Sequence, residues 1–324
     1  MVDMAESYIK MIGSNRGRRG IRGLWDMSQA GLASVSGNPW GAQDYFVDGN
    51  RSTTSGDGKS WENAFQSLSE AITASNITIS AGANRWWARR NRIFACGDQE
   101  LTENLTILPE KCDIIGVGFD IEPQPRVTGH HIIAALATGK AYGTRFFNMG
   151  FMNDAANEIF KFVKDHMAIE FYGCNFWPFL GGSTIAVSLT DDNRAFKMYN
   201  SRILQHAGDG SLFASGISIA GNGQHDMVIA GNFIRATEGI TIAAATGGYN
   251  GQIVDNIIHA TVLTVNDDSD LWYVIDNRLI TDVDTDGGFA GGIDCKQEYA
   301  CGNIVTGSGT EGNADTFPWT RIAA

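Results

Sequence analysis

From about residue 140 onward, short apolar runs alternate with polar residues and keep returning to an asparagine. They read RFFNMGF around Asn148, FYGCNFW around Asn175, FKMYNSRIL around Asn200 and VIAGNFI around Asn232. IVDNII around Asn256, YVIDNRLI around Asn277 and YACGNIV around Asn303 follow, the successive spacings being 27, 25, 32, 24, 21 and 26 residues. The position two before each asparagine is never charged, and the position two after is apolar at Trp177, Ile234, Ile258, Leu279 and Val305. Period-two alternation predicts strands and argues against helical repeats. Strands of four to six residues cannot cover their own apolar faces, but stacking one pass of chain on the next buries them continuously. Asparagine suits the corners, because it tolerates the left-handed backbone region. Asparagines stacked at strand spacing, about 4.8 Å, also bond one another. A repeat of about 25 residues, without a leucine-rich consensus, predicts an all-β fold: a right-handed parallel β-helix, a three-sided solenoid.

The pattern extends forward of residue 140 in IFA, NLTIL and DIIGVG within residues 93–118. Between residues 93 and 305 there is room for about eight or nine turns, a rod of roughly 40 Å. Ahead of the first turn, the spacing of Trp61, Phe65, Leu68 and Ile72 predicts an amphipathic helix over 61–75, with Ser60 as N-cap and Glu62 in the first turn. Such a helix closes the open apolar end of a solenoid. FPWTRI, within 306–324, is the candidate cap at the other end. The division expected is an N-terminal arm over 1–44 and one β-helix domain over 45–324.

With 43% hydrophobic, 10% aromatic and 19% charged residues, the chain is expected to fold rather than stay disordered. No run of about 18 apolar residues is present, and the N-terminus lacks an apolar core with a cleavage site, so neither a membrane span nor a secretory leader is expected. Cys96, Cys112, Cys174, Cys295 and Cys301 make an odd set with no CxxC pair, which reads as small hydrophobes made in a reducing cytoplasm. The net charge of -12 divides into +3 over residues 1–92 and -15 over the remainder. An acidic body argues against nucleic acid as a partner.

Candidate chemistry is sparse. Asp191, Asp192, Lys197, Arg202, His206 and Asp209, with His225 and Asp226 one turn later, would line a groove if they shared a face, although TDDNR and NGQHDM also read as solvated bends. Asp267, Asp268, Asp270, Asp276, Asp282, Asp284 and Asp286 form an acidic run. Within it VDTDGG (283–288) is an incomplete calcium loop. His130-His131 reads as an exposed strand end. No catalytic set, metal site or cofactor site is assigned. In the Gly/Arg-rich arm, Arg16, Arg18, Arg19 and Arg22, with Trp25 and Trp40, are the candidate assembly contacts, against the acidic body, a sister chain or a larger assembly. RWWARRNR (85–92) is a second basic-aromatic patch.

The segment YFVDGNRSTTSGDGKSWENAFQSLSEAI (45–72), followed by ENLTI (103–107) and DIIGVG (113–118), resembles the entrance of pectate-lyase-like right-handed β-helix proteins. That superfamily spans lyases, hydrolases, tailspikes and non-enzymatic virion parts, so the resemblance speaks for the fold more than for the function, and the branch expected is that of phage virion decoration and tailspike-like proteins. With no secretory leader expected, a short acidic rod and no catalytic set, the function expected within that superfamily is a structural virion protein of a tailed phage, made in the host cytoplasm. It would be capsid-associated or spike-like, anchored by its arm and trimeric. Other virion proteins such as the major capsid protein are the expected partners, and a surface glycan is a further candidate. The alternative is a polysaccharide lyase or glycoside hydrolase of the tailspike type; a module that grips a glycan without cutting it is a third reading.

Overall fold

The computed structural model describes residues 42–51, 55–80, 90–97, 99–118, 124–134, 141–163, 166–191, 193–220, 225–242, 250–260, 262–265, 272–281, 292–295, 300–307 and 320–321. The chain is all-β, built of parallel strands in long stacked sheets, with one α-helix among the described residues. The first sheet has ten strands in chain order, opening with Asp44–Val47, Asn91–Cys96, Cys112–Val117, Arg145–Phe147 and Glu170–Tyr172. It continues through Lys197–Tyr199, Val228–Ala230, Gly251–Val254 and Trp272–Ile275 to Ala300–Cys301. After a strand of this sheet the chain turns a corner and adds to a second row, as in Gly150–Met152, Asn175–Trp177, Arg202–Ile203, Ile257–His259 and Arg278–Thr281. From there it passes to a third row, as in Phe160–Phe162, Ser183–Leu189 and Phe213–Ile219. The long strand Phe233–Ile242 runs through both rows, which makes them one sixteen-stranded sheet.

Large side chains on the inner faces form one core. Phe146, Phe151, Phe160, Phe171 and Phe176 are fully buried in its centre, and Phe146 and Phe171 stack with centroids 4.9 Å apart. Cys112 and Cys174 sit in it as free thiols, as their apolar reading expects, and burial pushes the Cys174 thiol up to about 12. His131 corrects its reading as an exposed strand end: it is fully buried against the Phe160 ring, 4.8 Å away. Its Nδ1 accepts the Leu105 N–H at 3.1 Å, so the imidazole is held neutral. Burial, helped by the neighbouring His130, lowers its pKa to about 3. Below pH 6.5 the unfolded chain therefore takes up a proton that the folded chain refuses. Stability is expected to fall by about 1.4 kcal/mol per pH unit as the pH drops from 6.5 toward 3. Urea midpoints of His131→Gln, which keeps an acceptor but does not titrate, should depend less on pH between 7 and 5; parallel curves would refute the assignment.

The corners follow a rule that only the register reveals. Each first-sheet strand from Arg145–Phe147 onward ends at a left-handed residue: Asn148, Gly173, Asn200, Gly231, Asp255, Asp276 or Gly302, with φ between 48° and 68°. Glycine, asparagine and aspartate are the types that reach this region at least cost. The seven asparagines of the repeat therefore do not occupy one position. Asn148 and Asn200 are the left-handed residues themselves, whereas Asn175 opens a second-row strand, in register with Gly150 and Arg202. Only Asn232, Asn256, Asn277 and Asn303 stack, one residue after the bend. There Nδ2 of Asn232, Asn256 and Asn277 donates to Oδ1 of the next asparagine at 3.0, 2.9 and 3.0 Å. The same Oδ1 atoms accept the backbone N–H of the preceding asparagine, at 2.9, 3.0 and 3.0 Å.

The helix is shifted from its expected place. Trp61–Asn63 is a single 3-10 turn, which Ser60 does cap, and Ala64 is already extended. Phe65 then bridges to Val47, so the chain cannot continue as a helix there. The α-helix, α1, spans Leu68–Ser80 and buries Leu68, Ala71, Ile72, Ser75 and Ile79 against the first two strands of the first sheet. Trp61, expected on its apolar face, is 39% exposed. Ser67 and Glu70 form a reciprocal capping box, with N–H to side-chain bonds of 3.2 Å in each direction. Glu103 of ENLTI adds a second carboxylate, accepting the N–H groups of Leu68 and Ser69 at 2.7 and 2.9 Å. Glu103→Ala should lower stability by about 1–2 kcal/mol, read as a shift in urea midpoint. An unchanged midpoint would show that Ser67 and Glu70 suffice.

Candidate functional site

The residues that would line a groove if they shared a face do not all share one, and several sit at bends, as their solvated-bend reading has it. Lys197 lies on the outer face of the first sheet and Arg202 on that of the second row. His225 bridges to Arg194, and Asp226 is a left-handed corner residue. Asp192 is outside the described residues. His206 and Asp209 meet, with Nδ1 and Oδ1 3.0 Å apart, and this pair organises a loop. Asp209 also accepts the Ser211 hydroxyl, the Ser211 N–H at 2.9 Å and the Gly181 N–H at 2.9 Å. The Ser211 hydroxyl and these N–H groups hold its carboxyl well below the usual carboxylate range. The aspartate thereby ties the 206–211 loop to the loop one pass earlier.

Lys197 belongs to a larger arrangement. On the outer face of the first sheet, Asp44, Arg92, Asp113, Arg145, Glu170 and Lys197 occupy one row in direct register, with charge alternating from strand to strand. Asp113, 1% exposed, receives both guanidinium bonds of Arg145 at 2.7 Å and lies 3.2 Å from Arg90. Glu170 pairs with Lys197 at 3.1 Å, and Asp44 with Arg92. Two residues along each strand runs a second row: Phe46, Phe94, Ile115, Phe147, Tyr172 and Tyr199. Phe147, Tyr172 and Tyr199 stack at centroid distances of 4.8 and 5.2 Å. Charged side chains here hold successive passes together and are occupied in doing so.

The outer face of the second row differs. Past each stacked asparagine, the first and third residues point outward: Phe233 and Arg235, Ile257 and His259, Arg278 and Ile280. Arg202 adjoins Phe233 in register, and Trp177 is half-buried one strand earlier. Arg235 is half-buried, while Arg278 and Ile257 are exposed. Among the described residues neither Arg235 nor Arg278 meets an acidic partner. This gives a stripe of cations interleaved with apolar groups on a chain of net charge -12. Sequence reasoning missed it by treating the asparagines as equivalent; counting two and four residues past each left-handed bend would have found it.

Other expected sites lie outside the described residues: Arg16, Arg18, Arg19, Arg22, Trp25 and Trp40 of the arm, and residues 85–89 of the basic-aromatic patch. So do all the aspartates of the 267–286 run except Asp276, a corner residue. Of the C-terminal cap, the described part beyond residue 307 is Thr320–Arg321, a strand paired with Ile304 and Val305. Among the described residues no group of three or more His, Cys, Asp or Glu side chains is placed to hold a metal ion.

The class these features define is an all-β chain of stacked parallel sheets whose outer faces are differentiated by charge. Comparison with protein-family models, curated proteins and solved structures finds no match.

Proposed function

We propose that the chain is a right-handed parallel β-helix, and that it serves as a structural, non-catalytic virion protein of a tailed phage. In this reading residues 1–44 anchor it, three copies associate, and the rigid body is displayed from a capsid or spike where it contacts other virion proteins or a surface glycan. Support for the β-helix comes from the chain visiting the first sheet, second row and third row in rotation, with parallel register at each step. Support for recognition rather than catalysis comes from one contrast. Lys197 and Asp209, which had the residue types for chemistry, are engaged in bonds between neighbouring passes, whereas Arg235 and Arg278 are presented outward beside Phe233 and Ile257. Support for the virion setting is the acidic body, taken together with the resemblance of residues 45–118 to a superfamily that includes phage virion parts.

Peptide mass spectrometry of density-banded phage particles from a culture carrying this gene should detect the chain. Its absence from banded particles would sink the virion reading. Incubation with acidic and neutral polysaccharides, with and without Ca²⁺, should release neither unsaturated products nor new reducing ends. Release of either would replace this reading with the depolymerase alternative.

A further inference from the structure

On the outer face of the second row, four successive strands each present one basic residue: Arg202, Arg235, His259 and Arg278. Two residues from each stands an apolar one: Leu204, Phe233, Ile257 or Ile280. No acid occupies any of these positions, on a chain of net charge -12. Ile257 and Arg278 are exposed, and Arg235 and Arg278 meet no acid among the described residues. A further apolar group stands beside this face. The loop that leaves the strand Asn175–Trp177 carries Leu180, 56% exposed. Its backbone is held in place: the Gly181 N–H donates to Asp209 Oδ2 at 2.9 Å, and the Gly182 N–H to the Phe179 carbonyl at 2.9 Å. A single exposed leucine is ordinary, but this one extends a face that already presents Ile257.

We infer that this face lies on an anionic lipid surface, with guanidinium groups on lipid phosphates and Leu180, Phe233 and Ile257 at the headgroup–acyl boundary. The inference rests on reading the stripe as a recognition surface and names what it recognises. Charge is the first reason. The basic residues stand on consecutive strands, about 4.8 Å apart, and repel one another unless an anion lies across them. Hydrocarbon is the second. The side chains between the cations are apolar, so the ligand must be apolar beneath its charges. A glycan fails this condition, because its hydroxyls need acceptors, and guanidinium groups and hydrocarbon side chains supply none. A lipid surface meets both conditions, with phosphates outermost and acyl chains below. The contact lies along the surface and needs no membrane-spanning helix. The acidity of the rest of the chain is not an obstacle. Stacked sheets lie about 10 Å apart, beyond the screening length of about 8 Å at physiological ionic strength, so this face meets the lipid with its own sign.

The test is co-sedimentation of the whole chain with vesicles of phosphatidylcholine alone or with about one-third phosphatidylglycerol, with urea midpoints as a folding control. The chain should pellet with the anionic vesicles and stay in solution with the neutral ones, despite its charge of -12. Arg278→Ala should weaken binding about fivefold, and Arg235→Glu combined with Arg278→Glu should abolish it. Lys59→Glu, at an exposed lysine outside this face, makes the chain more acidic too and should leave binding intact. Leu180→Ser should weaken binding several-fold at unchanged salt dependence, as loss of an apolar contact does. Equal binding to neutral and anionic vesicles, or binding that survives the double reversal, would overturn the inference. No vesicle binding, with retention on immobilised alginate that Arg278→Glu removes, would overturn the lipid and keep the stripe as a recognition surface. Retention on neither would overturn both.

Discussion

Asn256→Ala is expected to cost about 4 kcal/mol and to lower the thermal midpoint by roughly 10 °C. Asn256 is 1% exposed and sits in the middle of the stacked asparagines. Its Oδ1 accepts the backbone N–H of Asn232 at 2.9 Å and the Nδ2 of Asn232 at 3.0 Å. Its own Nδ2 donates to Asn277 Oδ1 at 2.9 Å and to the Ile229 carbonyl at 2.9 Å. Alanine removes all four bonds and leaves two buried donors on Asn232 without an acceptor, each costing about 1–3 kcal/mol. Aspartate in the same place keeps the acceptor but loses both donors and buries a charge, so it should be no better. Asn200→Gly is the control. Asn200 looks like a member of the same series in the sequence, yet it is a left-handed corner with φ 48°, where glycine is well tolerated. Its midpoint should move by less than about 1 kcal/mol. Equal losses for Asn256→Ala and Asn200→Gly would show that the stacked bonds contribute nothing special.

Phe171→Ala should cost a further-reaching 3–5 kcal/mol, about the range for truncating a fully buried aromatic ring. Phe171 has no exposed surface and lies parallel to Phe146 at 4.9 Å, with Phe160 at 5.4 Å and Phe176 at 5.5 Å edge-on. These rings come from the first sheet, the second row and the third row of adjacent passes, so a cavity here touches all three walls at once. Phe171→Leu keeps most of the volume and should lose clearly less, about 1–2 kcal/mol. Urea titration at neutral pH measures both. A Phe171→Ala midpoint within error of wild type would mean that the walls collapse freely around the gap.

The parallel strand rows were legible in the sequence because period-two alternation and a recurring bend residue are local signals. Cys112 and Cys174 were legible as core for the same reason: each lies in or beside an apolar run. The helix start was misread because Trp61 and Phe65 have helical spacing, and spacing carries no trace of the Val47 bridge that makes the chain extended at Phe65. His131 was misread because an isolated polar residue is silent about which side of its strand meets the core. The solvated-bend reading of the residues from Asp191 to Asp226 fits better than a groove, because corners separate them and each corner redirects the next side chain to a different wall.

By itself the sequence determined that this chain would make short parallel strands, bend at Asn and Gly, and bury the apolar residues of its alternating runs, since these follow from backbone sterics and apolar periodicity. Only the tertiary structure decided which asparagines stack and which merely bend, and that the alternating charges of the first sheet meet as pairs. It alone placed Arg235 and Arg278 on one outward stripe. The physical reason is register: neighbours here are 21 to 48 residues apart along the chain. A slip of one residue at any corner reverses which side chains face in, and that is set by how whole passes pack rather than by any local run.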